Sequence, residues 1–153
     1  MSGAVLALAL VVAGCGTGSG TNYTTVSLSA NCDNSSSIAF GQGVDDIVQI
    51  QNTSGHNWAA TYAFIDRQGD FRLDNASMSN APSTDLGGDS YNLGPLANGD
   101  IGDLHIHMTA SKAQALASVK IQVWGSSKSI TDSSASLSIP DRAETSHCDH
   151  TIQ

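Results

Sequence analysis

Positive charge is scarce in this chain and never clustered. Six Lys and Arg stand against fourteen Asp and Glu in 153 residues, a formal net charge of −8. No basic cluster is there to neutralise phosphates, which excludes ordinary nucleic-acid binding. An anionic membrane surface would repel the domain. Aromatic residues are 5% of the chain, so a core must rest on Val, Ile, Leu and Ala. Charged residues are 13%, about half the usual share of a soluble domain, and Ser, Thr, Asn and Gly take their place. The sequence has no Gly-x-Ser-x-Gly elbow and no glycine-rich phosphate loop leading into a helix. It also has no apolar run near the ~20 residues that a membrane-spanning helix needs. From these absences we expect no enzyme and no cofactor.

What is present starts at the N-terminus. Residues Ala4 to Ala13 form an unbroken apolar run of ten, too short to span a bilayer and suited to the hydrophobic region of a signal peptide. It stops at Gly14-Cys15-Gly16, and Thr17-Gly18-Ser19-Gly20 follows. Val12-Ala13-Gly14-Cys15 resembles a lipobox, the processing site of bacterial prolipoproteins. The resemblance implies a thioether-linked diacylglycerol on Cys15 and cleavage between Gly14 and Cys15. Met1-Ser2-Gly3 departs from the pattern in having neither Lys nor Arg, so the free amine or residues further upstream would supply the positive charge. The alternative is an ordinary signal peptide cut later, with Cys15 discarded. Two acyl chains, at roughly 0.8 kcal/mol per buried CH₂, would anchor stably. The expected division is a signal peptide over 1–14, a lipidated cysteine and flexible tether over 15–22, and one domain over 23–153. Such a tether would hold the domain about 15 Å from the bilayer. The expected location is the extracytoplasmic side of a bacterial membrane.

With Cys15 assigned, Cys32 and Cys148 remain, an even pair for an oxidising compartment. A bridge between them would close a loop of roughly 115 residues and contribute about 4–5 kcal/mol by chain entropy. Two free buried thiols are the other reading. His147-Cys148-Asp149-His150 offers a metal only if Cys148 is a free thiolate, so that possibility and the disulfide exclude each other.

Beyond the tether, polar and apolar residues alternate with the period of β-strands. The alternating stretches are 24–29, 44–52 with Val48 and Ile50 on one face, 57–64 with Trp58, Ala60, Tyr62 and Phe64 on one face, and 101–109 with Leu104, Ile106 and Met108 inward. Val119, Ile121 and Val123, then Ala135, Leu137 and Ile139, continue the pattern. Residues 111–117 (SKAQALA) have helix-forming composition and predict a turn or two of helix. About seven short strands with Gly/Asn/Asp turns between them predict an all-β fold, an antiparallel sandwich. Asn52-Thr53-Ser54-Gly55 after one strand and Leu96-Ala97-Asn98-Gly99-Asp100 before another resemble the turns of bacterial immunoglobulin-like modules. That resemblance implies an immunoglobulin-like sandwich and no particular activity.

Asp103, His105 and His107 share one strand face by period two, opposite Leu104, Ile106 and Met108. Two imidazoles and a carboxylate so placed suit Zn²⁺ or Cu²⁺, although a solvated sheet face carries polar residues anyway. The His/Met pattern of periplasmic copper chaperones is not reproduced. Pairing through 110–118 would bring Lys120 towards His107 and disfavour a metal. Asp45-Asp46 and Asp66/Asp70/Asp74 read as turn carboxylates, the latter with a calcium-like spacing that fits no EF-hand. Trp124 falls on an outward face, either as an exposed contact patch or beneath a loop. The function expected from all this is a lipid-anchored, non-enzymatic module binding a protein or glycan. A metal-binding protein using Asp103, His105 and His107 is the alternative.

Overall fold

The computed structural model describes residues 20–33, 37–79, 81–133 and 137–153. The apolar run, the lipobox with Cys15, most of the tether and Ala135 lie outside the described residues.

The alternating stretches form two antiparallel sheets. One contains β2 (Val26–Asn31), β3 (Gly43–Asn52), β8 (Ile101–Ala110) and β5 (Phe71–Met78), in the order β2-β3-β8-β5. In the other, β9 (Gln114–Ser126) is flanked on one side by β4 (Ala60–Asp66), followed by β7 (Ser90–Asn92) and β6 (Thr84–Gly87). It also pairs with β10 (Glu144–Ile152) through residues 114–123 and with β1 (Asn22–Tyr23) through 125–126. Val48, Ile50, Leu104, Ile106 and Met108 of the first sheet meet Ala63, Ile65, Val119, Ile121 and Val123 of the second, all buried. Period two explains the layer: each strand turns every other side chain inward, and those positions are aliphatic. Truncating one such Leu or Ile to Ala costs about 2–5 kcal/mol.

Cys32, just after β2, is bonded to Cys148 of β10, with a sequence separation of 116 and Cα atoms 5.4 Å apart. The bridge ties one sheet to the other at one end of the sandwich. At the opposite end the two turn motifs meet. The Asn52 side-chain amide donates to the carbonyls of His56 (2.8 Å) and Leu96 (3.0 Å), and its Oδ1 accepts from Ser54 N (3.1 Å). Gly55 N donates to Asn98 Oδ1 at 2.9 Å. Trp58 lies across Gly125, where a Cβ would stand 2.0 Å from the indole, so only glycine admits this packing. Thr21 and Asn22 join this end through Ser127 and Ser126. Asp46 and Asp45 sit six and seven residues back along β3 from Asn52, about 20 Å away at ~3.3 Å per residue.

Three expectations fail. Residues 111–117 are not helical: β9 begins at Gln114, and pairing with β10 reaches Ile152, so tertiary pairing overrides a weak local preference. Leu137 and Ile139 form no strand; they pack on the outer surface of the β9 sheet, and Pro140 removes the N–H a ladder would use next. Lys120 stands opposite Asp66 and His147, in the other sheet from His107.

Candidate functional site

The outer surfaces of the two sheets differ. On the β9 sheet, Tyr62 and Trp124 point outward yet are 2% and 1% exposed, their ring centroids 5.7 Å apart. Ile130, Leu137, Ile139 and Ala143 cover them. The covering segment is pinned by polar contacts. The Tyr62 hydroxyl donates to Lys128 O (3.0 Å) and accepts from Ile130 N (2.7 Å), and the Asn92 amide donates to Ile130 O (2.7 Å). Burial raises the Tyr62 phenol above its usual range, against the Ile130 hydrogen bond. Trp124 is thus no exposed contact patch. A cavity of about 160 Å³ remains beneath, lined by Gly20, Tyr62, Trp124, Lys128 and Leu137 among others.

The outer surface of the β2-β3-β8-β5 sheet carries Asp45, Gln49, Asp103, His105, His107 and Thr109, each at least partly exposed. Asp103, His105 and His107 share this face, as the spacing predicts. Asp103 accepts from Gln49 Nε2 at 3.3 Å, and a shallow depression of about 320 Å³ lies over Ser29, Asn31, Ile47, Gln49 and Asp103. His107 Nδ1 sits 2.6 Å from Asp45 Oδ1. On its other side, Asp74 accepts from Thr109 Oγ1 (2.5 Å) and Arg72 Nε (2.6 Å). These two hydrogen bonds, Arg72 first, hold the Asp74 carboxyl below its usual value, with help from His107. Among the described residues, the donor atoms of Asp103, His105 and His107 do not gather within 4.8 Å of one another.

The three-donor group that does form is Cys32, Asp46 and Cys148. Its sulfurs are bonded to each other, so no thiolate is available, and the disulfide prevails over the metal reading of the tail. Asp46 is fully buried, accepting from Asp33 N (2.8 Å) at Oδ1 and lying 3.0 Å from His150 Nε2 at Oδ2. Burial of the His150 ring opposes its charge. The hydrogen bond to Asp46 and the Asp46 and Asp33 charges outweigh that and raise its pKa. His147 and His150 point to opposite faces of β10, one exposed and one buried.

Asp45 and Asp46 are therefore strand residues, not turn residues, and sequence reasoning missed both pairs they form. Counting back in twos from Val48 puts Asp46 inward, and that signal was available. Asp66, Asp70 and Asp74 do not converge: Asp66 accepts from Gln68 N, Asp70 is buried, and Asp74 is held by Arg72 and Thr109.

No protein-family model and no curated protein matches the chain. Solved structures do. AvmM, which catalyses macrocyclisation in alchivemycin A biosynthesis, superposes with a TM-score of 0.52 at 11% identity, covering 84% of this chain and 89% of AvmM. The CARDB domain of the PF1109 protein from Pyrococcus furiosus, solved with di-metal ions, gives 0.50 at 7% identity, covering 85% and 94%. A cohesin module from a Clostridium perfringens family 33 glycoside hydrolase gives 0.48 at 10%, covering 84% and 98%. The likeness is one of fold: the chain is an immunoglobulin-like β-sandwich.

Proposed function

We propose that this chain is an exported, membrane-tethered interaction module without catalytic activity. Lipid on Cys15 holds it on the extracytoplasmic side of a bacterial membrane, and the open face of the β2-β3-β8-β5 sheet meets a protein or glycan partner. The observation that carries the reading is the asymmetry of the two outer surfaces. One is covered by the chain's own Ile130, Leu137, Ile139 and Ala143, down to its tyrosine and tryptophan. The other presents a broad polar face with a depression over Ser29, Asn31 and Gln49. Sandwiches host enzymes as well as binding domains, so the fold likeness alone does not choose between them. The anchor is supported by the lipobox resemblance.

The test is made on the full gene expressed in a bacterium, with and without Cys15→Ala. A photo-crosslinking residue is placed at Gln49 on the open face or at Ser127 on the far side. The expected product has a mass starting at Cys15 plus lipid, loses the lipid in the variant, and forms a discrete membrane-dependent adduct from position 49 but not 127. A lipid-free product cut elsewhere refutes the anchor. Equal labelling from both positions refutes the binding face.

A further inference from the structure

We propose that His105 and His107 form a two-imidazole chelate for a borderline transition-metal dication, Cu²⁺ above Zn²⁺, with Asp45 as the positioning residue. The proposal goes beyond the interaction reading and shares with it only the open face.

The backbone provides the first half of the geometry. His105 and His107 lie two apart on β8 and point to the same side, their Cα atoms about 6.6 Å apart at ~3.3 Å per residue. At that spacing one nitrogen of each ring can reach a common ion at ~2.0–2.1 Å. Both rings are exposed, so His105 can change rotamer towards His107 without meeting a packed core, while His107 stays on Asp45.

Asp45 provides the second half. Its carboxylate, 2.6 Å from His107 Nδ1, holds the proton on that nitrogen and leaves Nε2 with its lone pair outward. This carboxylate–histidine arrangement fixes tautomer and ring orientation at metal sites and raises the basicity of the ligating nitrogen. Access is kept by Gly43, across from Thr109 on β3. A Cβ there would stand 3.2 Å from His107 Cε1 and 3.6 Å from Nε2, so the missing side chain leaves the nitrogen approachable.

The surrounding charge suits a cation. Asp45, Asp74 and Asp103 lie on this face, and Arg72 is engaged by Asp74. Lys120, the lysine expected beside His107, belongs to the other sheet. Asp103 contributes charge, its Oδ1 being occupied by Gln49. The remaining described histidines lack the arrangement: His56 stacks on Tyr23, His150 is buried against Asp46, and His147 faces away from His150. Imidazole donors favour Cu²⁺ over Zn²⁺ in the usual affinity order of divalent ions.

The test titrates the purified, disulfide-intact full chain with Cu²⁺ alone in a non-coordinating buffer. Calorimetry gives affinity, and paramagnetic broadening of the histidine resonances gives location. The expected result is one ion per chain with broadening centred on His105 and His107. Asp45→Asn lowers affinity by about tenfold or more, and His105→Ala and His107→Ala each lower it at least as far. His147→Ala leaves it unchanged. All these positions are exposed, and circular dichroism of each variant verifies the fold. Broadening centred elsewhere, or a His105→Ala/His107→Ala chain that binds as tightly as the parent, overturns the proposal while leaving the anchor and partner untouched.

Discussion

Asp45 and Asp46 are neighbours on β3, and each meets one histidine, yet the two pairs sit in different media. The Asp46–His150 pair is 0% exposed on both side chains, while Asp45 and His107 keep 78% and 48% of their side-chain surface in water. The alternation of the strand alone separates them, turning one carboxylate into the core and the next into solvent. Inside, the low dielectric makes attraction strong and an unmatched charge costly. Outside, water and salt screen both terms. Asp33 N donates to Asp46, the bridge sulfurs lie within 4.8 Å of the Asp46 carboxylate, and the Phe71 ring meets His150 edge-on, their centroids 5.4 Å apart. Among the described residues the outer pair makes one hydrogen bond, and His107 Nε2 makes none. The same chemistry therefore serves cohesion on one side of the strand and leaves a ligand available on the other.

The largest break in this comparison comes from removing one inner partner. Asp46→Ala strands a buried imidazole and the Asp33 N–H, at an expected cost of about 3–5 kcal/mol, a large share of the ~5–15 kcal/mol typical of a domain. Replacing both partners by apolar groups of similar size, Asp46→Leu/His150→Phe, should recover most of that loss, because buried pairs often do no better than packed hydrocarbon. Urea midpoints of parent, single and double variants measure the difference. A double variant as unstable as the single one would mean that the pair's polar contacts have no apolar substitute.

A smaller effect is the pH dependence of the same pair. The folded-state pKa of His150 is raised, so its contribution to stability is fully present below the unfolded value of about 6.5. It is lost as pH rises through the higher folded value. The parent should therefore lose stability over a window starting near neutrality, and Asp46→Leu/His150→Phe should lose less. Equal slopes of urea midpoint against pH for the two chains would show that another group controls that window.

How much of this was legible depends on which side chains marked the strands. Where inward positions were aliphatic, as at Leu104, Ile106 and Met108, period two gave strand, face and outward histidines together. β10 was missed because its inward residues are Cys148, His150 and Ile152, and two of the three read as chemistry, not core. Asp46 reads as a turn residue because a carboxylate at an inward position makes sense only once its histidine, 104 residues away, is known. Ala135, Leu137 and Ile139 read as a strand because they alternate; of these, Leu137 and Ile139 pack on the outer surface of the β9 sheet. Burial on Tyr62 and Trp124 satisfies that pattern without a ladder. The disulfide was legible by arithmetic, while the pairing of Asp45 with His107 required the register of β3 against β8.

The smallest expected effect sharpens the contrast from the outer side. Asp45→Asn removes a charge from a pair that water already screens, so stability should change by no more than about 1 kcal/mol. Asparagine can still accept from His107 Nδ1, and the strand register depends on backbone pairing from Gly43 to Gln51, which the substitution leaves alone. Urea midpoints measured at low and high salt test this, since any residual Coulomb term should fade as the Debye length shrinks from about 10 Å at 0.1 M to about 3 Å at 1 M. A midpoint that drops as far as that of Asp46→Ala, and is indifferent to salt, would mean that the outer pair also holds the sandwich together. A midpoint that stays while Cu²⁺ affinity falls would separate the two roles cleanly: neighbouring carboxylates on one strand, one holding the fold and the other aiming an imidazole.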